Sequence, residues 1–373
     1  MANDHYTGLI KKYRDRLPVD HSTEIISLNE GNTPLVELKN LPKQRSWSQR
    51  ILCKFEGLNP TGSFKDRGMT MAVTKAVEEG ARAIICASTG NTSAAAAAYA
   101  ARAGIKSFVL IPEGKIALGK LSQAMMHGAT VIQIKGNFDD GMQLVRELSS
   151  AMPLNLVNSI NPFRLQGQKT IAFEVIEALG DAPDYHVLPV GNAGNISAHW
   201  IGYSEAAGMD CGSCNLCNGD CSYKENRIST KRPIIVGYQA SGAAPFLRGN
   251  MVDFPETIAT AIRIGRPVSW DLAWAAQRES DGWFEECTDE EILDAQKRLA
   301  ETEGLFCEPA SAITIAGLFK DVEQGKFAEN ATIVCTLTGH GLKDPDTAIQ
   351  QSIAPVVVEA NKDAIGKIIR EKI

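Results

Sequence analysis

The chain of 373 residues carries a formal charge of -6, and 44% of its residues are hydrophobic while 22% are charged. This is ordinary globular usage, so the composition excludes a disordered chain, a collagen and a coiled coil. The acidic balance provides no basic field for phosphate backbones, and we expect no nucleic-acid partner. The length fits two to three units of about 150 residues each, with a large buried core.

The amino terminus and the cysteines indicate the cellular location of the protein. Residues 1–17 are charged throughout and lack the apolar segment of a secretory signal. The uncharged stretch 86–101 contains several hydroxyl side chains and suits a packed helix, so we expect no membrane partner. The nine cysteines are an odd number, and those outside one tract stand singly in apolar or mixed segments, as reduced thiols do. The sequence therefore predicts a cytoplasmic protein.

Short β-rich runs alternate with longer helical patterns along the chain. The predicted strands are 51–55, 83–87, 107–111, 130–134, 185–189, 233–239 and 332–337. The predicted helices are 65–79, 92–103, 118–127, 138–150, 168–179 and 195–207. Such alternation predicts an α/β fold with twisted, mostly parallel sheets flanked by helices. In such folds ligands bind where loops leave the carboxyl ends of the strands, so the chemistry is expected there.

The first such loop, Asn59–Gly68, leaves a strand through turn residues and places Lys65 at the start of a helix. The positive field of a helix amino terminus disfavours the protonated amine, so Lys65 would be suited to forming a Schiff base. A random lysine is more commonly a solvated surface residue, and that alternative applies to Lys65 considered alone.

Two further loops are suited to anions. In Ala87–Ser93, hydroxyls, an amide and free backbone N–H groups form a cradle for a carboxylate. In Val190–Asn195, two glycines stand where the backbone must approach a phosphate, although they could equally serve only a tight strand-to-helix turn. The dinucleotide, P-loop, zinc-protease and hydrolase motifs are absent, which disfavours those four classes of enzyme.

Together with the late segment Thr336–Asp344, these loops resemble the threonine synthases, a family of tryptophan-synthase-like (type II) pyridoxal-phosphate enzymes. The resemblance also includes Glu30–Leu35, Asn158–Thr170 and Glu308–Ala312, and it covers the whole chain except residues 208–230. It implies two α/β domains with the cofactor in the cleft between them. The smaller domain would comprise residues 64–162, and the larger would comprise residues 1–63 plus 163–373.

The resemblance also assigns the cofactor contacts. Lys65 matches the lysine that holds pyridoxal 5'-phosphate covalently and then moves protons on the substrate. Asn91 matches the partner of the pyridoxal 3'-oxygen, and Thr338 matches the hydroxyl that faces the pyridine nitrogen. The cofactor phosphate would be bound by the backbone of the glycine loop, namely Gly191, Asn192, Ala193, Gly194 and Asn195.

The substrate implied by the family, O-phospho-L-homoserine, has an anion at each end. Its α-carboxylate is assigned to Ser88, Thr89, Asn91 and Thr92. Its phosphate is assigned to Asn158, Ser159, Arg164 and Asn192, because a guanidinium can bind two phosphate oxygens at once. Arg164 could instead form a surface ion pair, and an enzyme of the threonine or serine dehydratase type would need no phosphate site. Family members commonly form homodimers, and we expect one here.

One tract departs from the family pattern. Within residues 208–230, Cys211, Cys214, Cys217 and Cys221 follow a C-x2-C-x2-C-x3-C spacing. Four thiols so close together could bind an iron–sulfur cluster or zinc, could alternate between dithiol and disulfide, or could belong to a variable loop. A non-catalytic, cofactor-bearing sensor of metal or redox state is the corresponding alternative function. We expect the tract to be peripheral to catalysis.

Overall fold

The computed structural model describes residues 5–113, 118–136, 138–212 and 221–372. Ten strands lie within these residues and form two separate sheets. In chain order they are β1 Leu35–Glu37, β2 Arg50–Phe55, β3 Ala83–Ala87, β4 Lys106–Pro112, β5 Thr130–Ile134, β6 Leu154–Leu156, β7 Tyr185–Pro189, β8 Ile234–Ala240, β9 Trp283–Cys287 and β10 Thr332–Leu337.

The smaller sheet has the order β5-β4-β3-β6 and is parallel throughout. The larger sheet has the order β1-β2-β10-β7-β8-β9, and only its β1–β2 pair is antiparallel among the described strands. All seven predicted strands form. The three that were not predicted, β1, β6 and β9, all lie at sheet edges, where half-exposed residues weaken the apolar signal.

The helices cover both faces of the sheets, and the six predicted helices all form to within about two residues of the predicted bounds. The helices that were not predicted are α1, α2, α7 and those after α9. In chain order the helices are α1 Leu9–Lys12, α2 Asn40–Arg45, α3 Lys65–Glu78, α4 Asn91–Ala103, α5 Leu118–Met126, α6 Phe138–Ala151, α7 Pro162–Gln168, α8 Thr170–Leu179, α9 Gly194–Ala206, α10 Pro245–Arg248, α11 Trp270–Glu279, α12 Asp289–Glu303, α13 Pro309–Glu323, α14 Pro345–Gln351 and α15 Lys362–Lys372.

Alternate residues of the central strands pack against opposite helical layers. In the larger sheet, Leu188 faces the core beneath α8 and α9, whereas its neighbour Val187 faces the core beneath α12 and α13. In the smaller sheet, Ile84 faces α3 and α4, whereas Ile85 faces α6. Strands buried on both faces read as continuous apolar runs, which is why these were predicted correctly. The predicted α/β fold with mostly parallel, helix-flanked sheets is confirmed.

A buried ionic network fixes α3, the helix that begins with Lys65. Arg67 is fully buried, and its guanidinium contacts Glu56 Oε2 and Glu174 Oε2, each at 2.7 Å. Lys54 Nζ approaches Glu174 Oε2 at 2.6 Å. Burial alone would raise the pKa of Glu174, but the Arg67 guanidinium and the Lys54 ammonium hold it well below its usual range. Because the charges are mutually paired, the network ties α3 to β2 and α8.

Two further expectations concern the chain as a whole. Within the described ranges, no helix is both long enough and apolar enough to cross a bilayer. The strands of the smaller sheet lie between Ala83 and Leu156, and those of the larger sheet come from the rest of the chain. The exact division into residues 64–162 and the remainder stays a prediction.

Candidate active site

A cavity of about 430 Å³ lies where loops leave the carboxyl ends of strands from both sheets. Leu337 at the end of β10 pairs with Phe55 at the end of β2, so the segments that follow these two strands begin side by side. The cavity is lined by every residue predicted to bind cofactor or substrate: Lys65, Ser88, Thr89, Asn91, Thr92, Asn158, Ser159, Arg164, Gly191, Asn192, Ala193, Gly194, Asn195 and Thr338.

Backbone hydrogen bonds bring Lys65 next to Thr338. Phe64 N donates to Thr338 O at 2.9 Å, and His340 N donates to Gly62 O at 2.9 Å. The turn before the helix is closed by the Asp66 carboxylate, which accepts a hydrogen bond from the Thr61 backbone N–H at 2.7 Å. Lys65 is therefore held at the first position of α3 with its side chain lining the cavity.

The environment of Lys65 favours its neutral amine. Burial, and secondarily the Arg164 guanidinium, lower the pKa of Lys65 to about 7, although Glu308 acts in the opposite direction. The Nζ atom lies 4.2 Å from the centre of the Phe64 ring. The alternative of a solvated surface lysine is wrong. A neutral amine at this position can act as a nucleophile or a base.

The asparagine loop is anchored by Glu308, to which the sequence assigned no role. Asn91 is the first residue of α4, and its Nδ2 lies 3.1 Å from each Glu308 carboxylate oxygen. Glu308 precedes Pro309 at the start of α13, and its backbone N–H donates to Gly339 O at 3.0 Å. Glu308 thereby orients the Asn91 amide.

The glycine loop forms a cradle for an anion. A Cβ atom added at Gly191 would lie 2.9 Å from Ile262 Cα, and Ala193 adopts a left-handed conformation with φ 64° immediately before α9. The first N–H groups of α9 have no acceptor within the helix. Both amide atoms of Asn195 are buried and have no partner among the described residues. These donors fit a phosphate group.

Thr338, which lines the cavity, forms a hydroxyl pair with Ser311. The Thr338 and Ser311 hydroxyl oxygens are 2.7 Å apart, and Gly339 N donates to Ser311 Oγ at 2.9 Å. Thr338 is buried but lines the cavity, so its hydroxyl can form a hydrogen bond with a neutral ring nitrogen of a ligand. Ser311 supports Thr338, a contact that the sequence pattern did not reveal because the two residues come from separate elements.

Arg164 is a buried cation that contacts no carboxylate in the described part of the chain. It belongs to α7 and is only 2% exposed; Nη1 donates to Val157 O at 3.1 Å, and Nε has no partner there. Burial lowers its pKa to about 10. The alternative of a surface ion pair is therefore wrong. A guanidinium with unused donors facing a cavity is suited to a phosphate or carboxylate ligand.

The predicted residue Asn158 and the neighbouring His340, which was not predicted as a site residue, differ in what they can offer. Both amide atoms of Asn158 are used by the Ala87 backbone, at 2.9 and 3.0 Å, so its side chain connects the cavity walls. His340 does not line the cavity: its Nδ1 accepts from Leu342 N and its ring stacks on Phe55. Further lining residues to which the sequence analysis assigned no role include Gln123, Gln168, Lys343 and the loop 260–264.

The cysteine tract lies apart from this cavity. Cys211 and Cys221 are buried beside a different, smaller cavity, while Cys214 and Cys217 fall outside the described residues. Within residues 5–113, 118–136, 138–212 and 221–372, no group of three or more His, Cys, Asp or Glu side chains could hold a metal ion. The proposed iron–sulfur or zinc site therefore has no support from the described residues.

The fold and the cavity together define a pyridoxal-phosphate-dependent enzyme, and the family model described as "Pyridoxal-phosphate dependent enzyme" matches residues 26–339. The chain is 55% identical to the threonine synthase of Synechocystis sp. over 93% of this chain and 86% of that protein. It is 55% identical to the threonine synthase of Mycobacterium tuberculosis over 95% of this chain and 94% of that protein. It is 49% identical to the threonine synthase of Methanocaldococcus jannaschii over 96% of this chain and 87% of that protein. The chain belongs to the threonine synthase family.

Solved structures of more distant enzymes share the fold. Maize serine racemase superposes with a TM-score of 0.70 at 19% identity, covering 99% of both chains. A fungal L-serine ammonia-lyase from Rhizomucor miehei superposes with a TM-score of 0.68 at 20% identity, covering 88% of this chain and 100% of that one. At such low identities the likeness concerns the architecture alone.

Proposed function

We propose that this protein is a lyase that converts O-phospho-L-homoserine and water into L-threonine and inorganic phosphate. The observation that carries the choice of substrate is Arg164, a buried guanidinium that faces the same cavity as Lys65 and contacts no carboxylate among the described residues. A dehydratase acting on an unphosphorylated amino acid would have no use for such a cation.

The residues of the cavity fit pyridoxal 5'-phosphate. Lys65 would hold it covalently, Asn91 would contact its 3'-oxygen and Thr338 its ring nitrogen, while the backbone of residues 191–195 would bind its phosphate. The unpartnered Asn195 amide and the start of α9 support this placement. When bound, the cofactor supplies an electron sink for carbanionic character at the substrate Cα and Cβ atoms.

The substrate would lie between two groups of anion donors. The hydroxyls of Ser88, Thr89 and Thr92, together with the amino end of α4, would bind its α-carboxylate. Arg164 and Ser159 would bind its phosphate, with Asn192 nearby. The Asn192 side chain already accepts a hydrogen bond from Val268 N at 3.1 Å, so its remaining amide N–H groups would be its contribution.

The chemistry of the chain's own residues is then proton movement and charge stabilisation. As a neutral amine, Lys65 would remove the proton at Cα and pass it to the substrate phosphate. Neutral again, it would remove one proton at Cβ and later give it to Cγ, and the proton that water releases on adding at Cβ would return to Cα. The Cγ–O bond breaks, and the phosphate leaves with its electron pair towards Arg164. After a proton is returned to Cγ, water adds at Cβ and Cα is reprotonated, which gives threonine. Arg164 lowers the barrier by stabilising the charge on the leaving group.

The assay that tests this function supplies the purified holoprotein with O-phospho-L-homoserine, L-threonine or L-serine in separate reactions. We expect inorganic phosphate and threonine from the first compound, in equal amounts. Oxo-acid and ammonia formation from threonine or serine, without phosphate release from the phosphorylated compound, would instead assign the dehydratase activity.

The lowered pKa of Lys65 predicts a pH dependence for cofactor attachment. Because only the neutral amine attacks an aldehyde, the rate at which apoprotein binds pyridoxal phosphate covalently should rise with pH through a midpoint near 7. Arg164→Ala removes a nearby cation that disfavours the protonated amine, so the midpoint should move to higher pH. Stopped-flow absorbance across a pH series measures this. A midpoint unmoved by that variant would contradict the electrostatic coupling.

Replacing Glu308 tests its control over the Asn91 amide. Glu308→Gln keeps the shape of the side chain, but the new amide can donate to the Asn91 side-chain oxygen. The Asn91 amide could then rotate by 180° and exchange the positions of its oxygen and nitrogen. Losing a hydrogen bond to a charged group should weaken cofactor binding by about tenfold, measured by fluorescence titration of the apoprotein. Glu285→Gln, on the distant strand β9, is the matched control and should bind the cofactor normally. Equal affinities for the two variants would remove Glu308 from the site.

The cysteine tract is proposed to be dispensable for catalysis because neither Cys211 nor Cys221 lines the catalytic cavity. Replacing Cys211, Cys214, Cys217 and Cys221 by serine should leave threonine formation within about threefold of wild type, allowing for modest structural effects. Whether the tract carries iron–sulfur or zinc stays a prediction that elemental analysis of anaerobically prepared protein tests. Complete loss of activity in a folded quadruple variant would contradict a peripheral role.

We also propose a cytoplasmic location and assembly as a homodimer. The support for both is the likeness to the threonine synthases and, for the location, the single reduced cysteines in apolar segments. Light scattering of the purified protein measures the assembly, with a mass of twice 40.3 kDa expected. A monomeric mass at assay concentrations would contradict it.

A further inference from the structure

A second cavity, of about 190 Å³, lies on the side of α7 that faces away from the catalytic cavity. Helix α7 forms part of both walls: Arg164 and Gln168 line the catalytic cavity, whereas Gln166 lines the second one. The remaining walls come from the amino-terminal segment, the junction between α7 and α8, α9 and the chain that follows it. These lining residues include Arg16, Leu17, Lys169, Ile201, Glu205 and Tyr223.

The polar groups around this cavity contain more donors than acceptors. Both carboxylate oxygens of Glu205 are already engaged, Oε1 by Arg16 at 3.4 Å and Oε2 by Lys169 Nζ at 2.5 Å. The Lys169 ammonium is 3% exposed, and no second acceptor for it is found among the described residues. Among the described lining residues, two cations and one anion leave a net positive charge beside the cavity.

Gln166 provides an independent indication of a ligand. Its side chain is 4% exposed and lines the cavity, and it makes no hydrogen bond within the described part of the chain. The Gln166 amide is not among the fully buried polar groups that lack a partner, so it is accessible from the cavity, where it can bind a water or a ligand. Gln166 and Lys169 both line the cavity, so it has two sets of side-chain donors in its wall.

Part of the cavity wall is aliphatic. Leu17, Pro18, Ile201 and Met209 line it, and none of these side chains can form a hydrogen bond to a polar group. The volume corresponds to about six waters at roughly 30 Å³ each, which is the size of a small amino acid or a short fatty acid. The matching ligand therefore has an oxyanion at one end and a short hydrocarbon body at the other.

We propose that this cavity is a binding site for a small aliphatic carboxylate, with the carboxylate contacting Gln166 and Lys169 and the hydrocarbon body packing against Leu17 and Ile201. The site is distinct from the catalytic cavity and does not depend on the function proposed for it. A carboxylate fits better than a phosphate, because the aliphatic wall would be left uncovered by a bare phosphate ion.

Isovalerate is the probe that tests this site, titrated into the holoprotein and followed by calorimetry. Binding should saturate with a Kd on the order of 1 mM, as is typical of a ligand with so few atoms. Isovaleramide, which has the same hydrocarbon body without the charge, should bind at least about tenfold more weakly, because it lacks the charge-assisted hydrogen bonds to Lys169.

Two matched variants separate this site from the catalytic cavity. Gln166→Glu places a negative charge beside the bound carboxylate and should weaken isovalerate binding at least about tenfold by like-charge repulsion. Gln168→Glu is the same substitution two residues later, on the face of α7 that lines the catalytic cavity, and it should leave isovalerate binding unchanged. Lys169→Met is a second variant that should abolish binding. No saturable binding, or binding lost in Gln168→Glu but kept in Gln166→Glu, would overturn the proposal.

Discussion

Replacing Lys65 by alanine is expected to abolish steady turnover, with a loss in kcat of at least about four orders of magnitude. General-base catalysis alone contributes about 10²–10⁴-fold, and Lys65 would also hold the cofactor covalently. The geometry supports both roles, because Lys65 is the first residue of α3, lines the catalytic cavity and has a pKa lowered to about 7 by burial and by Arg164. Measuring phosphate release over many turnovers gives the loss.

A second lysine in the same cavity provides the control. Lys343 also lines the cavity, but its Nζ is engaged by Thr61 O at 3.1 Å and Gln123 Oε1 at 2.5 Å. Lys343→Met should therefore retain the covalently held cofactor. Borohydride reduction followed by peptide mapping should place the reduced cofactor on Lys65 in the wild-type protein. An adduct on Lys343 would contradict the assignment.

Replacing Arg164 by alanine is expected to reduce kcat/KM for O-phospho-L-homoserine by about 30- to 1000-fold. This corresponds to a loss of about 2–4 kcal/mol in transition-state stabilisation, as for the removal of one member of a buried charge pair. The reason is that its buried guanidinium has no carboxylate contact in the described residues and faces the cavity with unused donors. Cofactor binding should be retained, because the cofactor phosphate is placed on the glycine loop instead. Initial rates over a range of substrate concentrations measure the loss.

Arg164→Lys distinguishes the geometry of the side chain from its charge. A lysine keeps the positive charge but cannot bind two phosphate oxygens with a planar fork, so its kcat/KM should lie between those of wild type and Arg164→Ala. Inhibition by inorganic phosphate should weaken in the same order. An unchanged kcat/KM in Arg164→Ala would remove the phosphate-binding role and favour the dehydratase alternative.

The sequence predicted the parts of the fold whose signal is local. The central strands β3 and β7 are buried on both faces and therefore read as uninterrupted apolar runs. Edge strand β9 carries Glu285 and Glu286 and gives no such run. Helix α7 begins at Pro162 and is only 7 residues long, too short for a helical period to be recognised.

The candidate site was predictable to the extent that its residues lie in loops that follow strands. Lys65, Asn91 and the glycine loop each stand in a segment of turn and polar residues after an apolar strand. Glu308 and Ser311 act through partners that are distant in sequence, at 217 and 27 positions' separation. No local pattern encodes such contacts, because they depend on how strands β3 and β10 are arranged in the two sheets. The donors that line the second cavity, such as Arg16 and Lys169, are also distant from one another in sequence.

Turnover of O-phospho-L-homoserine in water labelled with heavy oxygen tests the central claim most directly. If the Cγ–O bond breaks and water adds at Cβ, the threonine should carry the label in its hydroxyl group, while the released phosphate should carry none. Mass spectrometry of both products gives the answer in one reaction. Labelled phosphate together with homoserine would mean that water attacks phosphorus, and this result would contradict the proposed reaction.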